Sequence, residues 1–147
     1  MLTPEMSELI ANHNAGMVGT VNDDGTPRVS PKATFFIVNE TTIAFANLRS
    51  PATIANIRKR PAIQVSFLDV LYRKSVRVTG VAGFIKKDAD AELARQFANG
   101  WPDLVSAAAG FVKINITATE MIYSPAYDHG ASAEALRQTN LAKLNAL

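Results

Sequence analysis

The dipeptide Asp24-Gly25 lies between two runs of alternating apolar residues, and it limits the fold more than any other feature of the chain. Asp-Gly tolerates the backbone torsions of tight hairpins, so Asn22-Asp23-Asp24-Gly25 predicts a β-turn joining two antiparallel strands. The strand before it runs around Met17 to Val21 and the strand after it from Arg28 to Val38. Period two puts Arg28, Ser30, Lys32 and Thr34 on one face of the second strand, and Val29, Ala33, Phe35 and Ile37 on the other. Pro31 within that strand marks a bulge or a sheet edge.

The same alternation recurs along the chain. It predicts strands at Ile43–Ala46, Ile63–Phe67, Ser75–Ile85 and Phe111–Tyr123, for six in all. Gly80 and Gly83 inside the long fifth strand read as barrel bends or close backbone approach. Helical spacing appears in four places. Thr3-Pro4-Glu5 opens a helix with Met6, Leu9 and Ile10 inward, and Asp88 caps another that carries Leu93, Ala94 and Phe97 to Asn99-Gly100. Between them, a helix starts at Ser50, buries Ile54 and Ile57, and ends in the solvated basic run Arg58-Lys59-Arg60 before Pro61. Trp101-Pro102 begins a loop or short helix through Ala109, and a last helix covers Ser132 to Ala142. The expectation is a mainly β, six-stranded antiparallel barrel with attached helices, in a single domain spanning 1–147.

Ser50-Pro51 has a chemical consequence. A hydroxyl N-cap followed by proline at the first helical position marks a helix start. Such a terminus offers unpaired N–H groups and the positive end of the dipole, which suits a phosphate. With Arg28 and Lys32 on one strand face, a phosphorylated ligand is the expected partner, whereas a solvated basic face is the reading without one.

Several classes of function fall away on composition. The chain has no cysteine, so disulfides, thiolate metal sites and thiol chemistry are excluded. Two histidines, His13 and His129, are too few for an ordinary zinc site, and a formal charge of +2 gives no electrostatic argument for nucleic acid. No apolar run approaches a membrane span, and the N-terminal residues lack the layout of a signal peptide, so a cytoplasmic protein is expected.

In their order and spacing, four segments resemble the pyridoxamine 5′-phosphate oxidase-like family of FMN-binding split barrels. They are Asp24-Gly25-Thr26-Pro27-Arg28-Val29-Ser30-Pro31, Phe45-Ala46-Asn47-Leu48-Arg49-Ser50, Asn56-Ile57-Arg58 before Pro61, and Val76-Arg77-Val78-Thr79-Gly80. The resemblance extends from about Met17 to Tyr123 and implies a six-stranded split barrel, a homodimer and FMN in two clefts at the subunit interface. A mean hydropathy of +0.05 adds some support for a buried interface. By the same resemblance, Arg28, Val29, Ser30 and Lys32 would line the flavin. Arg28 would contact phosphate, and Lys32 would sit near the ring and substrate edge. Ala46 and Asn47 would lie against the isoalloxazine, and Ser50 near the phosphate. Trp101 reads either as core or interface filler or as a ring stacked on flavin from the other subunit.

This chain departs from the oxidases in three places. Ser75 stands where they place a glutamine near the flavin. Pro51-Ala52 replaces the Arg-Lys pair that clamps phosphate, leaving Arg49, Thr53 and the helix N-terminus to compensate. The C-terminal segment Ser124-Pro125-Ala126-Tyr127-Asp128-His129-Gly130 replaces a basic, histidine-containing substrate segment, so pyridoxamine phosphate oxidation itself is not expected. Tyr127-Asp128-His129 reads either as an acid–base group or as a loop packed on the barrel; His13 reads as structural. The expected function is an FMN-dependent oxidoreductase acting on a small organic molecule. The alternatives are a non-catalytic flavin or haem carrier or sensor, and an F420-dependent reductase.

Overall fold

Strands β1 (Gly16–Val21) and β2 (Pro27–Lys32) form the expected hairpin, with Gly25 at φ +84° in its turn. Asp24 Oδ1 accepts from the Thr26 N–H and hydroxyl and so closes the loop on itself. The computed structural model describes residues 1–147. After the hairpin come β3 (Phe35–Asn39), β4 (Thr42–Asn47), α2 (Pro51–Lys59), β5 (Ala62–Asp69), β6 (Lys74–Lys86), α3 (Ala91–Gly100), β7 (Gly110–Tyr123) and α4 (Ala133–Asn145); α1 (Pro4–Asn12) precedes β1.

All strand pairs are antiparallel, in the order β2-β1-β5-β6-β7-β4-β3. The sheet has seven strands rather than the expected six, because the predicted strand Arg28–Val38 breaks at Ala33-Thr34. Thr34 and Phe35 are both buried, and neighbouring residues of one strand cannot share a face. The Thr34 hydroxyl accepts the N–H of Ala46 at 3.1 Å, and this bond turns the chain out of β2 and into β3. Pro31 lies on the edge strand β2, where its missing N–H costs no ladder bond.

The sheet curls without closing, as a split barrel. Phe35 of the terminal strand β3 packs edge-on against Phe67 of β5 at 4.9 Å, across the interior. Inward residues of every strand from β3 to β7, with Val18 of β1, form one apolar core. Leu2, Met6, Leu9 and Ile10 from the N-terminal segment and α1 cover one part of it, as their helical spacing predicted. A second cluster lies on the other face of β4 and β7, where Ala44, Ala46 and Phe111 meet Leu93 and Phe97 of α3. The cap of α3 is Asp90, not Asp88: Asp90 accepts the Leu93 N–H at 3.0 Å, the register that orients both buried residues.

Gly80 sits at the register shift between β6 and β7, and a Cβ there would lie 2.4 Å from the Asn115 carbonyl oxygen. Its expected role as a close-approach position is met, whereas Gly83 faces open space and bends nothing by contact. No helix is long and apolar enough to cross a membrane.

Candidate functional site

Register places Arg28, Ser30 and Lys32 on the same face of the hairpin as Thr20, Val18 and Gly16 of β1, the face that turns inward. Because β2 is an edge strand, these three side chains keep access to solvent, and Arg28 lies beside α2. Helix α2 is fixed there by its own side chains. Asn56 Nδ2 donates to Thr20 Oγ1 and to Asn22 Oδ1, each at 3.0 Å. At the C-terminal end of α2, Lys59 and Arg60 both reach Asp23 in the hairpin turn at 2.8 Å. The bonds from Lys59 and then Arg60 hold the Asp23 carboxyl below its ordinary range. The basic run read as a solvated helix end is therefore the clip that ties α2 to the hairpin, although it remains at the surface.

Between β2 and α2 lie two depressions in succession. One, of about 450 Å³, is lined by Arg28, Asn22 and the Ala52, Ala55 and Asn56 positions of α2. The other, of about 180 Å³, is lined by Lys32, Thr34, Arg49 and Ser50. Arg28 and Lys32 are four residues apart, about 13 Å along the strand at its usual rise. Arg28 is oriented: its Nε donates to Asn22 Oδ1 at 3.1 Å. Partial burial lowers the pKa of Lys32 from its ordinary value, because desolvation disfavours the charged ammonium.

The start of α2 is open. Ser50 occupies the N-cap position, but its side chain makes no capping bond, contrary to the expected hydroxyl cap. Its backbone, at φ −143° and ψ 47°, is not yet helical, and its carbonyl takes the Ile54 N–H at 3.0 Å. The N–H groups of Ala52 and Thr53 thus carry no side-chain cap, at the positive end of the helix dipole. Arg28 thus lines one depression together with Asp23 and Asp24, and Lys32 and Arg49 line the other, with the uncapped first turn of α2 beside them.

The remaining expected site residues divide. Thr53 is buried in the first turn of α2, and Arg49 is exposed beside Lys32. Asn47 ends β4 just before this cleft, while Ala46 is buried in the second cluster, under α3. Val29 points to the opposite face from Arg28 and is 66% exposed. Ser75 is paired with Leu68 on the outward side of β6, off the cleft. Trp101 stacks on Phe97 at 5.5 Å, at the end of α3, also off the cleft. Tyr127 is held by a 2.6 Å bond from its hydroxyl to the Tyr72 carbonyl, so its segment packs on the β5–β6 turn, and His129 is exposed. His13 Nε2 lies 3.3 Å from Asp69 Oδ2, at the end of α1. Two residues went unrecognised as site residues, Asn22 and Asn56, which orient Arg28 and anchor α2. Asn22 read only as a turn residue, and its six-residue separation from Arg28 across a hairpin was the available signal.

Solved structures share this fold. HupZ of Group A Streptococcus is 22% identical and superposes with a TM-score of 0.73, over 84% of this chain and 96% of that one. An FMN-binding protein from Syntrophomonas wolfei is 13% identical, with a TM-score of 0.67 over 81% and 84% of the two chains. An F420 reductase is 20% identical, with a TM-score of 0.64 over 81% and 98%. No match was found among proteins of curated function. The pyridoxamine 5′-phosphate oxidase family model matches residues 2–138, the whole sheet and every residue of the cleft, and the chain belongs to that family.

Proposed function

We propose that this protein binds FMN with its phosphate in the β2–α2 cleft and acts as an oxidoreductase on a small organic molecule. One observation carries the reading: Arg28 lines one depression beside the uncapped first turn of α2, and Lys32 and Arg49 line a second at the Ser50 end of that helix. Arg28, Arg49 and the Ala52 and Thr53 amides would hold the phosphate; Lys32 is the cation assigned to the ring side. When bound, FMN supplies hydride or electron transfer, and the protein supplies binding, orientation and electrostatics. Ser75 and Trp101, which lie off the cleft in their own chain, would meet a flavin only from a second subunit. Their part therefore goes with the homodimer proposed for the family fold.

A second reading is a flavin carrier or sensor without turnover. It is favoured by the cleft lining, which includes no histidine or tyrosine to move a proton near neutral pH. The same lining argues against haem in this cleft, since haem iron takes an axial His, Cys, Met or Tyr. F420, which also carries phosphate, would use the same cations.

The test is the absorbance spectrum of the purified protein after incubation with FMN and removal of excess, followed by an assay with reduced nicotinamide and electron acceptors. Retained flavin with turnover supports the oxidoreductase; retained flavin without turnover supports the carrier. If FMN is not retained but F420 is, the assignment moves to the deazaflavin, and retention of neither overturns the proposal.

A further inference from the structure

Helices α1 and α2 add their apolar residues to the inner core, and α3 lies on the outer side of β4 and β7, which leaves the outer side of β1, β2 and β5 bare. Val18, Val65 and Val76 face the core, and period two sends their neighbours along each strand outward. In an antiparallel sheet with one solvated face, those outward positions ordinarily carry polar residues. Here they carry Met17 and Val21 of β1, Val29 and Pro31 of β2, Leu68 of β5 and Val81 of β6. Register makes them neighbours. Met17 pairs with Pro31 on one side and with Ser66 on the other, diagonal to Leu68. Val81 pairs with Ala62, which comes level with Val21 as the β1–β5 register runs on.

Val29 is 66% exposed, Met17 53%, Leu68 49% and Val81 46%. The six side chains together leave roughly 500 Å² of apolar surface in water, in the upper part of the range for the largest patch on a monomer. A standard interface takes about 800 Å² from each partner, of which about 60% is apolar, so this face has the apolar area of one side of a stable dimer. Its charge names the occupant. No outward position of β1, β2 or β5 is charged. Arg77 points outward on β6, but its Nη1 already meets Glu120 Oε2 of β7 at 2.8 Å. A face without net charge offers nothing for a charged partner to select, and it meets its own copy with no like-charge clash. A two-fold interface requires that self-complementarity.

We propose that this face is the contact between two copies of the chain, related by a two-fold axis. It gives Val29, which points away from the cleft, a buried place. It also takes in Ser75, which stands opposite Leu68 on the outer side. That point alone rests on the flavin reading, in which Ser75 meets a flavin only from a second subunit. Strand β2 then carries the cleft cations on one side and the second copy on the other, so each cleft borders the interface.

The test is sedimentation equilibrium on the full chain without flavin. A mass of twice 15.8 kDa is expected at about 20 µM protein. Met17→Glu and Val81→Glu, each at an exposed side chain, should raise the dimer dissociation constant by about 100-fold or more, since each buries carboxylates against an apolar surface. Leu144→Glu, at a comparably exposed apolar position on α4, should leave it unchanged. A measurement on the unmodified chain covers variants that fail to fold. The Met17 methyl signal should escape broadening by a soluble paramagnetic agent at high protein concentration and be broadened on dilution. The methyl of Met1, 65% exposed and off this face, should be broadened at both. A chain that is monomeric at about 500 µM overturns the proposal and leaves the face to a different partner. So does a dimer that survives both glutamates, a dimer that Leu144→Glu dissolves, or a Met17 signal broadened alike at both concentrations. No flavin enters these measurements. Failure to retain FMN would therefore leave the interface standing, and a monomer would leave the phosphate assignment of Arg28 standing.

Discussion

Arg28 donates from Nε to Asn22 Oδ1 at 3.1 Å, and the same oxygen accepts from Asn56 Nδ2 at 3.0 Å. One turn residue thus joins the cationic strand of the cleft to the helix that faces it. Asn22→Ala frees the arginine without removing its charge. FMN affinity should fall about five-fold, the scale of one net hydrogen bond, and the lost Asn56 bond should cost about 0.5–1.5 kcal/mol of stability. Asn56→Ala leaves the Arg28 bond to Asn22 in place and weighs more on stability than on affinity. It removes two bonds from a residue that is 7% exposed and costs about 1–3 kcal/mol in urea unfolding.

Lys32 gives the cleft a pH signature. Burial lowers its pKa, so it loses its proton at a lower pH than an ordinary lysine. An anion binds the protonated form better, so binding raises the Lys32 pKa. Affinity is then full below the pKa of the free protein and declines as pH climbs through it. FMN titrations should show this decline beginning below the normal lysine range, and Lys32→Met should flatten it.

By the family resemblance, Pro51-Ala52 would stand where the oxidases carry a basic phosphate clamp. The double change Pro51→Arg, Ala52→Lys should tighten FMN by about ten-fold, the increment of one charge-assisted contact. Riboflavin, which lacks the phosphate, should be unaffected. Parallel titrations with the two flavins check this directly.

Two glycines make a matched pair for stability. A Cβ on Gly110 would lie 2.3 Å from the Ile85 carbonyl oxygen and 2.8 Å from the Phe84 ring, whereas one on Gly83 would meet nothing within 4 Å. Gly110→Ala should destabilise by about 2–3 kcal/mol as strands β6 and β7 are forced apart. Gly83→Ala should change stability by no more than about 0.5–1 kcal/mol, in the stabilising direction if the backbone torsions suit it. Denaturant melts of the two variants decide it.

What the sequence made legible was local. Period-two alternation located the extended segments, with β2 and β3 run together as one, and helical spacing put Met6, Leu9, Ile10, Ile54 and Ile57 inward, because both patterns come from neighbours in the chain. The break at Ala33-Thr34 was not legible, because it depends on a bond from Thr34 to Ala46, twelve residues away in another strand. The clip between Asp23 and the end of α2 spans thirty-six and thirty-seven residues, and no periodicity reports it. The same holds for the site. Arg28, Lys32 and Ser50 were candidates from residue type, spacing and family resemblance, but Asn22 and Asn56 join them as candidates only when the hairpin meets the helix.

The most direct test of the central claim compares FMN with riboflavin by calorimetric titration, on the native chain and on Arg28→Ala. The two ligands differ only in the phosphate that the β2–α2 cleft is assigned to hold. FMN should bind about ten- to hundred-fold more tightly than riboflavin, and Arg28→Ala should remove most of that difference. Equal affinity for the two flavins, or an FMN preference that survives Arg28→Ala unchanged, would place the phosphate elsewhere and contradict the account.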